Sequence, residues 1–403
     1  MDCPRGGLQA GGRMRMRVAP GVDVLLRNPV AFLGSSRVGL ITNPTGVTGD
    51  FTSTIDAFHR DPRIRLTAIF GPEHGARGDV QDALPVESYV DPATGLPVHS
   101  LYGDARRPTA EMLEDVDILV FDIQDVGARF YTYASTLTYA LEAAAEHGLP
   151  LLVLDRPNPI DGVHVEGKPL DSRFASFVGL HPIPIRHGMT IGELALLINA
   201  GVGAELRVVE MEGWRRGMWF DEIGLPWVQP SPNLPTLETA AVYPGTCLFE
   251  GTNISEGRGT TRPFEYLGAP WIDGAMWAEA LNALGLAGVL FRACHFTPTF
   301  SKYAGERCGG VQVHVTDRNA FRPVETALYM IAAARGLWPG NFEWLPPTYD
   351  GRCHFDLLAG TDQIRKALSR GVPVEEIVAS WRNELDVCLK QRKRYLLYPE
   401  GGS

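Results

Sequence analysis

Between Leu248 and Pro263 the chain reads LFEGTNISEGRGTTRP, which places two carboxylates (Glu250, Glu256), two guanidiniums (Arg258, Arg262), Asn253 and Ser255 close together. Gly and Pro recur through the stretch and break both helix and strand. It is therefore expected to be a loop with almost nothing in it fit for a core. Carboxylates beside guanidiniums can hold a polar ligand, and can also move a proton to or from it. Similar clusters occur upstream, each after a short apolar run. They are Asn43-Pro44-Thr45-Gly46, Gly71-Pro72-Glu73-His74-Gly75, Asp122-Ile123-Gln124-Asp125-Val126-Gly127 with Arg129 and Tyr131 behind it, and Asp155-Arg156-Pro157-Asn158-Pro159. A turn explains any one of them. Four in succession, this rich in Glu, Asp, His and Arg, point to a site.

The chemistry such groups best support is acid–base work by paired carboxylates. Glycoside hydrolysis needs a proton donor for the leaving oxygen and a second group for the oxocarbenium-like centre. Candidate carboxylates are Glu73, Asp122, Asp125, Glu166, Glu250 and Glu256. Arg129, Tyr131, Arg156, Asn233, Asn253, Arg258 and Arg262 could hold sugar hydroxyls or a sugar carboxylate. A metal site built from His74, Asp122, Asp155 and His187 is an alternative, but the spacing matches no common metal motif. The turn after the first strand is N-P-T-G-V, not G-x-G-x-x-G. The chain also lacks the phosphate-binding G-x-x-x-x-G-K-[ST] and the G-x-S-x-G nucleophile elbow.

These clusters need elements to carry them. Short, continuous aliphatic runs at Val38–Thr42, Leu66–Phe70, Ile118–Phe121, Leu151–Leu154 and Leu206–Val209 suit strands buried on both faces. Helical patterns fall between them, at Thr54–His59, Thr109–Glu114, Thr132–His147 and Ile191–Asn199, the last opened by a Thr190/Glu193 capping box. The alternation predicts a doubly wound, Rossmann-like α/β sheet, with ligands bound outside the carboxyl ends of its strands. After Trp227 a Pro-rich stretch reads as an extended crossing toward a second, smaller α/β unit. Strands there are expected at Val289–Pro298 and Gly310–Thr316, and helices at Val324–Ala334, Asp362–Ser369 and Val374–Lys393. The expected division is a disordered tail at 1–16, a catalytic domain at 17–240 and a C-terminal domain at 241–403.

Composition sets outer limits. The chain has 403 residues, 45% of them hydrophobic, and a net charge of −10 with no basic block, which argues against nucleic acid as a partner. Six cysteines occur, none in a C-x-x-C pair, and they read as reduced and buried. No apolar run is long enough to cross a membrane. The N-terminus lacks the apolar stretch of a signal peptide, so the expected compartment is the cytoplasm.

The segments GLITNPTGV, IFGPEHG, FDIQDVGARFYTY, LDRPNP, PIRHGMTIGELA, QPSPNLPT and YPGTCLFEGTNISEGRGTTRPFE, in that order, resemble the exo-acting β-N-acetylmuramidases of the NamZ type. That family was formerly catalogued as a domain of unknown function. The likeness spans roughly residues 35–400. It implies release of N-acetylmuramic acid from the non-reducing end of peptidoglycan fragments, without cofactor or metal, in a cleft between a Rossmann-like N-terminal domain and a smaller C-terminal one. The family's G-P-E-H-G glutamate falls on Glu73, which is the expected catalytic residue. For the second carboxylate Glu166 ranks first, then Asp122, Glu250 and Glu256. Asn43, His74, Gln124, Asp125, Arg129, Tyr131, Arg156, Asn158, His187, Asn233, Glu250, Asn253, Ser255, Glu256, Arg258 and Arg262 are expected to bind the muramic-acid-terminated glycan or muropeptide. Rival readings are a muropeptide-binding protein without turnover and a metal-dependent hydrolase or esterase.

Overall fold

The computed structural model describes residues 17–73, 75–78, 88–103, 105–348 and 351–399. The expected tail at 1–16 and His74 lie outside the described residues. The strands are β1 (Arg37–Thr42), β2 (Arg65–Gly71), β3 (Tyr89–Val90), β4 (Pro97–Ser100), β5 (Ile118–Asp122), β6 (Leu151–Leu154), β7 (Leu206–Val209), β8 (Tyr266–Ala269), β9 (Val289–Phe296) and β10 (Cys308–Val315). The helices are α1 (Gly21–Arg27), α2 (Pro29–Leu33), α3 (Thr54–Arg60), α4 (Tyr133–His147), α5 (Ile191–Val202), α6 (Leu237–Thr246), α7 (Gly274–Ala283), α8 (Pro323–Leu337), α9 (His354–Ala359), α10 (Gln363–Ser369), α11 (Val374–Ser380) and α12 (Arg382–Arg392).

Strands β1, β5 and β6 are largely apolar and buried at almost every position, because helices cover both faces of their sheet. Seven strands pair in the order β3-β4-β2-β1-β5-β6-β7, all parallel except β3. The chain winds from β1 outward through β2, then crosses back to β5 and continues through β6 and β7. The order thus reverses between β1 and β5, the place where open α/β sheets commonly bind ligands. Helix α5 opens with the expected capping box: Thr190 accepts from Glu193 N, and Glu193 accepts from Thr190 N. This is the predicted doubly wound α/β sheet.

The second sheet is small and antiparallel, in the order β8-β10-β9. Strand β8 was not anticipated, since four residues (YLGA) carry too little pattern to read. Helix α6 stands where an extended crossing was expected. It forms despite Pro244 because every residue from Thr239 to Thr246 is buried, and packing overrides the local penalty. The helix expected over Thr109–Glu114 is only one 3-10 turn, Glu111–Leu113. The one expected over Val374–Lys393 is two helices that meet at the buried Trp381.

A continuous apolar core joins the two sheets, running from Ile41 and Phe121 through Tyr243 to Trp277 and Leu328. The end of the chain then returns to the first sheet. Lys168 Nζ bonds Glu384 at 2.5 Å, Leu397 N donates to Glu193 Oε1 at 2.9 Å, and Tyr398 Oη donates to Asp155 Oδ2 at 2.5 Å. By packing, residues 382–398 serve the N-terminal sheet as a strap. No helix among the described residues is long and apolar enough to cross a membrane.

Candidate active site

A cavity of about 380 Å³ opens between the two sheets. Glu73 (after β2), Phe130 to Tyr133 (before and at the start of α4), Ser231 and Leu234 line it from the N-terminal side. Tyr243, Cys247, Glu250, Arg258, Phe264, Phe300, Ser301 and Leu358 line it from the C-terminal side. Among the described lining residues, Glu73 and Glu250 are the carboxylates and Arg258 is the cation.

Glu73 owes its place to a tight turn. Gly75 N donates to Pro72 O at 3.0 Å and closes the turn around it. Gly71 must be glycine, because a Cβ there would stand 2.7 Å from Ala76 N. On the other wall α4 starts without a side-chain cap. The hydroxyl of its N-cap residue, Thr132, donates instead to Glu73 Oε2 at 3.2 Å. The carboxylate is thereby held against the N-terminal end of a 15-residue helix, whose first N–H groups lack intrahelical partners.

Glu250 comes from a 3-10 turn, Cys247–Gly251, that continues α6. Arg258 Nη2 and Nε donate to its Oε1 at 2.8 and 3.2 Å, and His354 Nε2 lies 3.3 Å from its Oε2. Burial pushes this carboxyl upward, but the Arg258 charge and the His354 contact outweigh it and lower it to about 2. Arg258 also lies over the Phe264 ring at 5.2 Å and 3.6 Å from Glu256. Behind the loop, Lys302 Nζ bonds Glu256 Oε2 at 2.9 Å and the carbonyls of Phe249, Glu250 and Ile254. The loop is thus far less solvated than its composition suggests. Leu248, Phe249 and Ile254 are fully buried, and Ser255 and Glu256 are buried with them.

The wall between the two carboxylates is aromatic. Phe130 and Tyr131 meet Tyr243 edge-on at 5.3 and 5.9 Å, and Tyr243 meets Phe264 at 4.8 Å. The Tyr131 hydroxyl is buried close to Tyr133 and Ser231. Burial pushes the Tyr131, Tyr243 and Cys247 groups well up, so all three stay neutral, and Cys247 is no thiolate nucleophile.

The crevice at the strand reversal is closed by its own side chains. Asp122, fully buried, takes Arg156 Nε and Nη2 at 2.6 and 2.9 Å and Thr54 Oγ1 at 2.6 Å. Gln124 donates to the carbonyls of Asp125 and Pro157, and Asn43 accepts from Thr45. The space left is about 20 Å³, roughly one water. Asp122, Asn43, Gln124 and Arg156 therefore stand apart from the cavity, against expectation.

Glu166 is also elsewhere. Its Oε1 accepts from Glu325 N at the start of α8, where it ties the two sheets together, and burial pushes it up to about 7. Arg129 is a pin between the units: Nη1 donates to Lys168 O and Ile183 O, and Nη2 to Leu358 O. Asp125 accepts from Gly127 N and faces His187, whose Nδ1 accepts from Met189 N. Asn158 bridges Ile160 N and Met189 O. Asn253 bonds Asn341 O and Glu343 N, and Ser255 accepts from Gly257 N. Arg262 reaches Glu265 at 3.3 Å and is 44% exposed. Asn233 is buried beside Ser231 and Leu234 without lining the cavity. The described members of the suggested metal cluster do not converge. Asp122 is bound to Arg156, His187 faces Asp125, and Asp155 takes Thr190, Gly192 and Tyr398. Of the predicted site residues, Glu73, Tyr131, Glu250 and Arg258 meet at the cavity.

Sequence reasoning missed Thr132, Tyr243, Phe264, Phe300 and His354. Thr132 and Tyr243 lie inside quoted motifs, FYTY and YPGT, where a test for polar residues at the next element's start could have found them. His354 stands 104 residues from Glu250, and nothing local marks it.

Known proteins share this two-part fold. Family models described as exo-β-N-acetylmuramidase NamZ match at residues 38–238 for the N-terminal part and 241–398 for the C-terminal part. The chain belongs to that family. A curated relative from Bacillus subtilis (strain 168), peptidoglycan β-N-acetylmuramidase NamZ, is 53% identical over 384 residues, covering 95% of this chain and 92% of the relative. Two crystal structures of DUF1343 family proteins from Bacteroides fragilis NCTC 9343 share the fold. One has a TM-score of 0.87 at 39% identity, covering 96% of this chain and 100% of its own. The other has a TM-score of 0.74 at 32% identity, covering 95% and 99%. Membership makes this chain a glycosidase rather than a binding protein or a metal-dependent esterase.

Proposed function

We propose that this chain hydrolyses the β-glycosidic bond of a terminal N-acetylmuramic acid at the non-reducing end of peptidoglycan fragments, with Glu73 and Glu250 as its two carboxylates. The observation that carries the assignment is their meeting from opposite units in one aromatic-walled cavity. Glu73 gives its proton to the leaving oxygen as the bond to the anomeric carbon breaks. Glu250, held ionised by Arg258 and His354, faces the positive charge that builds on that carbon. Water supplies the new bond and the proton that restores Glu73. A cavity of about 380 Å³ suits one substituted sugar and its exit rather than a threaded glycan.

Residues 17–240 and 241–403 are taken as the two units, the second lending its last helix to the first. The cytoplasm is taken as the compartment, in keeping with the free Cys247, Cys294, Cys308, Cys353 and Cys388. The test of the function is product NMR on a chromogenic N-acetylmuramic acid β-glycoside and its N-acetylglucosamine counterpart. Release of the muramic sugar in preference to the other is expected. Binding without turnover, or equal turnover of both sugars, would overturn the reading.

A further inference from the structure

The walls of the cavity differ in exposure. Phe130, Tyr133, Tyr243, Cys247, Phe264 and Leu234 are all buried, whereas Phe300 is 45% exposed. Phe300 therefore marks the mouth and the others the blind end. It sits in the loop between β9 and β10, a segment built under unusual constraint. Ser301 and Tyr303 both have positive φ, 69° and 58°, an uncommon conformation for residues with a Cβ that persists where surrounding contacts impose it.

Those contacts are specific. Lys302, between the two strained residues, donates to three carbonyls and to Glu256, all on the Glu250 loop. Tyr303 Oη donates to Asn253 O at 2.6 Å. Thr299 N and Oγ1 both donate to Gly259 O. Gly259 itself must be glycine: its φ is +78°, and a Cβ would stand 2.6 Å from Phe300 N and 2.7 Å from Phe300 O. The loop that carries Glu250 and Arg258 is thus the bed on which the Phe300 backbone is fixed, yet the ring is left without cover.

We propose that Phe300 is the platform of a leaving-group subsite, stacking on the apolar face of the sugar that follows the terminal N-acetylmuramic acid. This rests on the function proposed above. In an exo-acting cleft the terminal sugar takes the blind end, so the next ring must pass the mouth. There a half-exposed aromatic ring offers a flat apolar surface to the C–H face of a pyranose.

The test compares two substrates with the same terminal sugar. One is the disaccharide of N-acetylmuramic acid β-linked to N-acetylglucosamine, and the other is the methyl β-glycoside of N-acetylmuramic acid, which has no second ring. Phe300→Ala should lower kcat/KM on the disaccharide by roughly 3- to 12-fold, mainly through KM, the scale of one lost aromatic contact. The methyl glycoside should change by less than about twofold, and Phe300→Trp should keep disaccharide activity near wild type. Equal losses on both glycosides, or no loss on either, would overturn the proposal. A wild-type enzyme that cleaves neither would instead overturn the function on which it rests.

Discussion

Two polar regions of this molecule look alike in sequence and differ in what their groups are bound to. At the strand reversal between β1 and β5, Asp122 binds Arg156 and Thr54, and Gln124 binds the carbonyls of Asp125 and Pro157, in a space too small for more than a water. At the cleft, Glu73 holds the Thr132 hydroxyl and, with Tyr131, lines a cavity that admits a sugar. The doubly wound sheet offers the usual ligand crevice and fills it, while the open cavity lies between the end of β2, the start of α4 and the second unit. A polar cluster at a strand end is thus evidence of a site only when it opens on space for a ligand, about 380 Å³ at the cleft against about 20 Å³ at the reversal.

The sharpest way to break this comparison is to remove one carboxylate from each region. Glu73→Gln should reduce kcat by roughly 10²- to 10⁴-fold with an almost unchanged melting temperature. Asp122→Asn should do the reverse. It leaves the Arg156 charge buried and poorly paired, a loss of about 3–5 kcal/mol, while the protein that still folds keeps its turnover. Melting curves beside steady-state kinetics on both variants decide the matter. Full stability with lost activity in Asp122→Asn would return the strand crevice to the active site.

Glu250 sharpens the cleft side. Its Gln variant should lose roughly 10²-fold or more in kcat, because the positive charge that builds on the anomeric carbon then faces no anion. The pH behaviour follows from its lowered pKa. A carboxyl depressed from 4.5 to about 2 adds stability that is complete above pH 4.5 and disappears as pH falls toward 2. Acid titration of wild type and Glu250→Gln should therefore converge in that window. An acid limb of kcat/KM above pH 4.5 should persist in any residual activity of the variant, since it belongs to another group.

Glu166 tests the boundary between the two regions, and the sign is opposite. Its pKa is raised by burial from 4.5 to about 7, so the folded state binds the extra proton and stability falls as pH rises through that window. Asp155, raised to about 7, adds in the same direction. Glu166→Gln keeps an acceptor for Glu325 N and should melt higher than wild type above pH 7, with the advantage gone below pH 4.5. A variant of unchanged melting temperature but abolished turnover would make Glu166 catalytic after all. The smallest effect is expected at Arg262, exposed and loosely paired with Glu265. Arg262→Ala should shift stability by less than about 0.5 kcal/mol and leave KM for the muramic substrate within twofold. A large KM increase would mean that this side chain swings into the cleft when substrate binds.

Five of the first sheet's parallel strands, β1, β2, β5, β6 and β7, and its doubly wound class were legible in the sequence. Runs such as ILVFD and LLVL can only be strands buried on both faces, and alternation with helices forces right-handed crossovers. The sequence also determined the turn that presents Glu73, because Gly71, Pro72 and Gly75 act on their immediate neighbours. Only tertiary structure decided which polar groups were left over. Whether Asp122 is free or consumed depends on Arg156, Thr54 and the packing between β1 and β5, contacts that no local pattern encodes. Whether Glu166 or Glu250 is the partner of Glu73 depends on how the second unit docks. That docking puts α8 over Glu166, and it puts Arg258, His354 and the open cavity beside Glu250. Local preferences act over one turn or one strand, whereas the free energy of a buried charge is set by everything packed around it, wherever in the chain those groups lie.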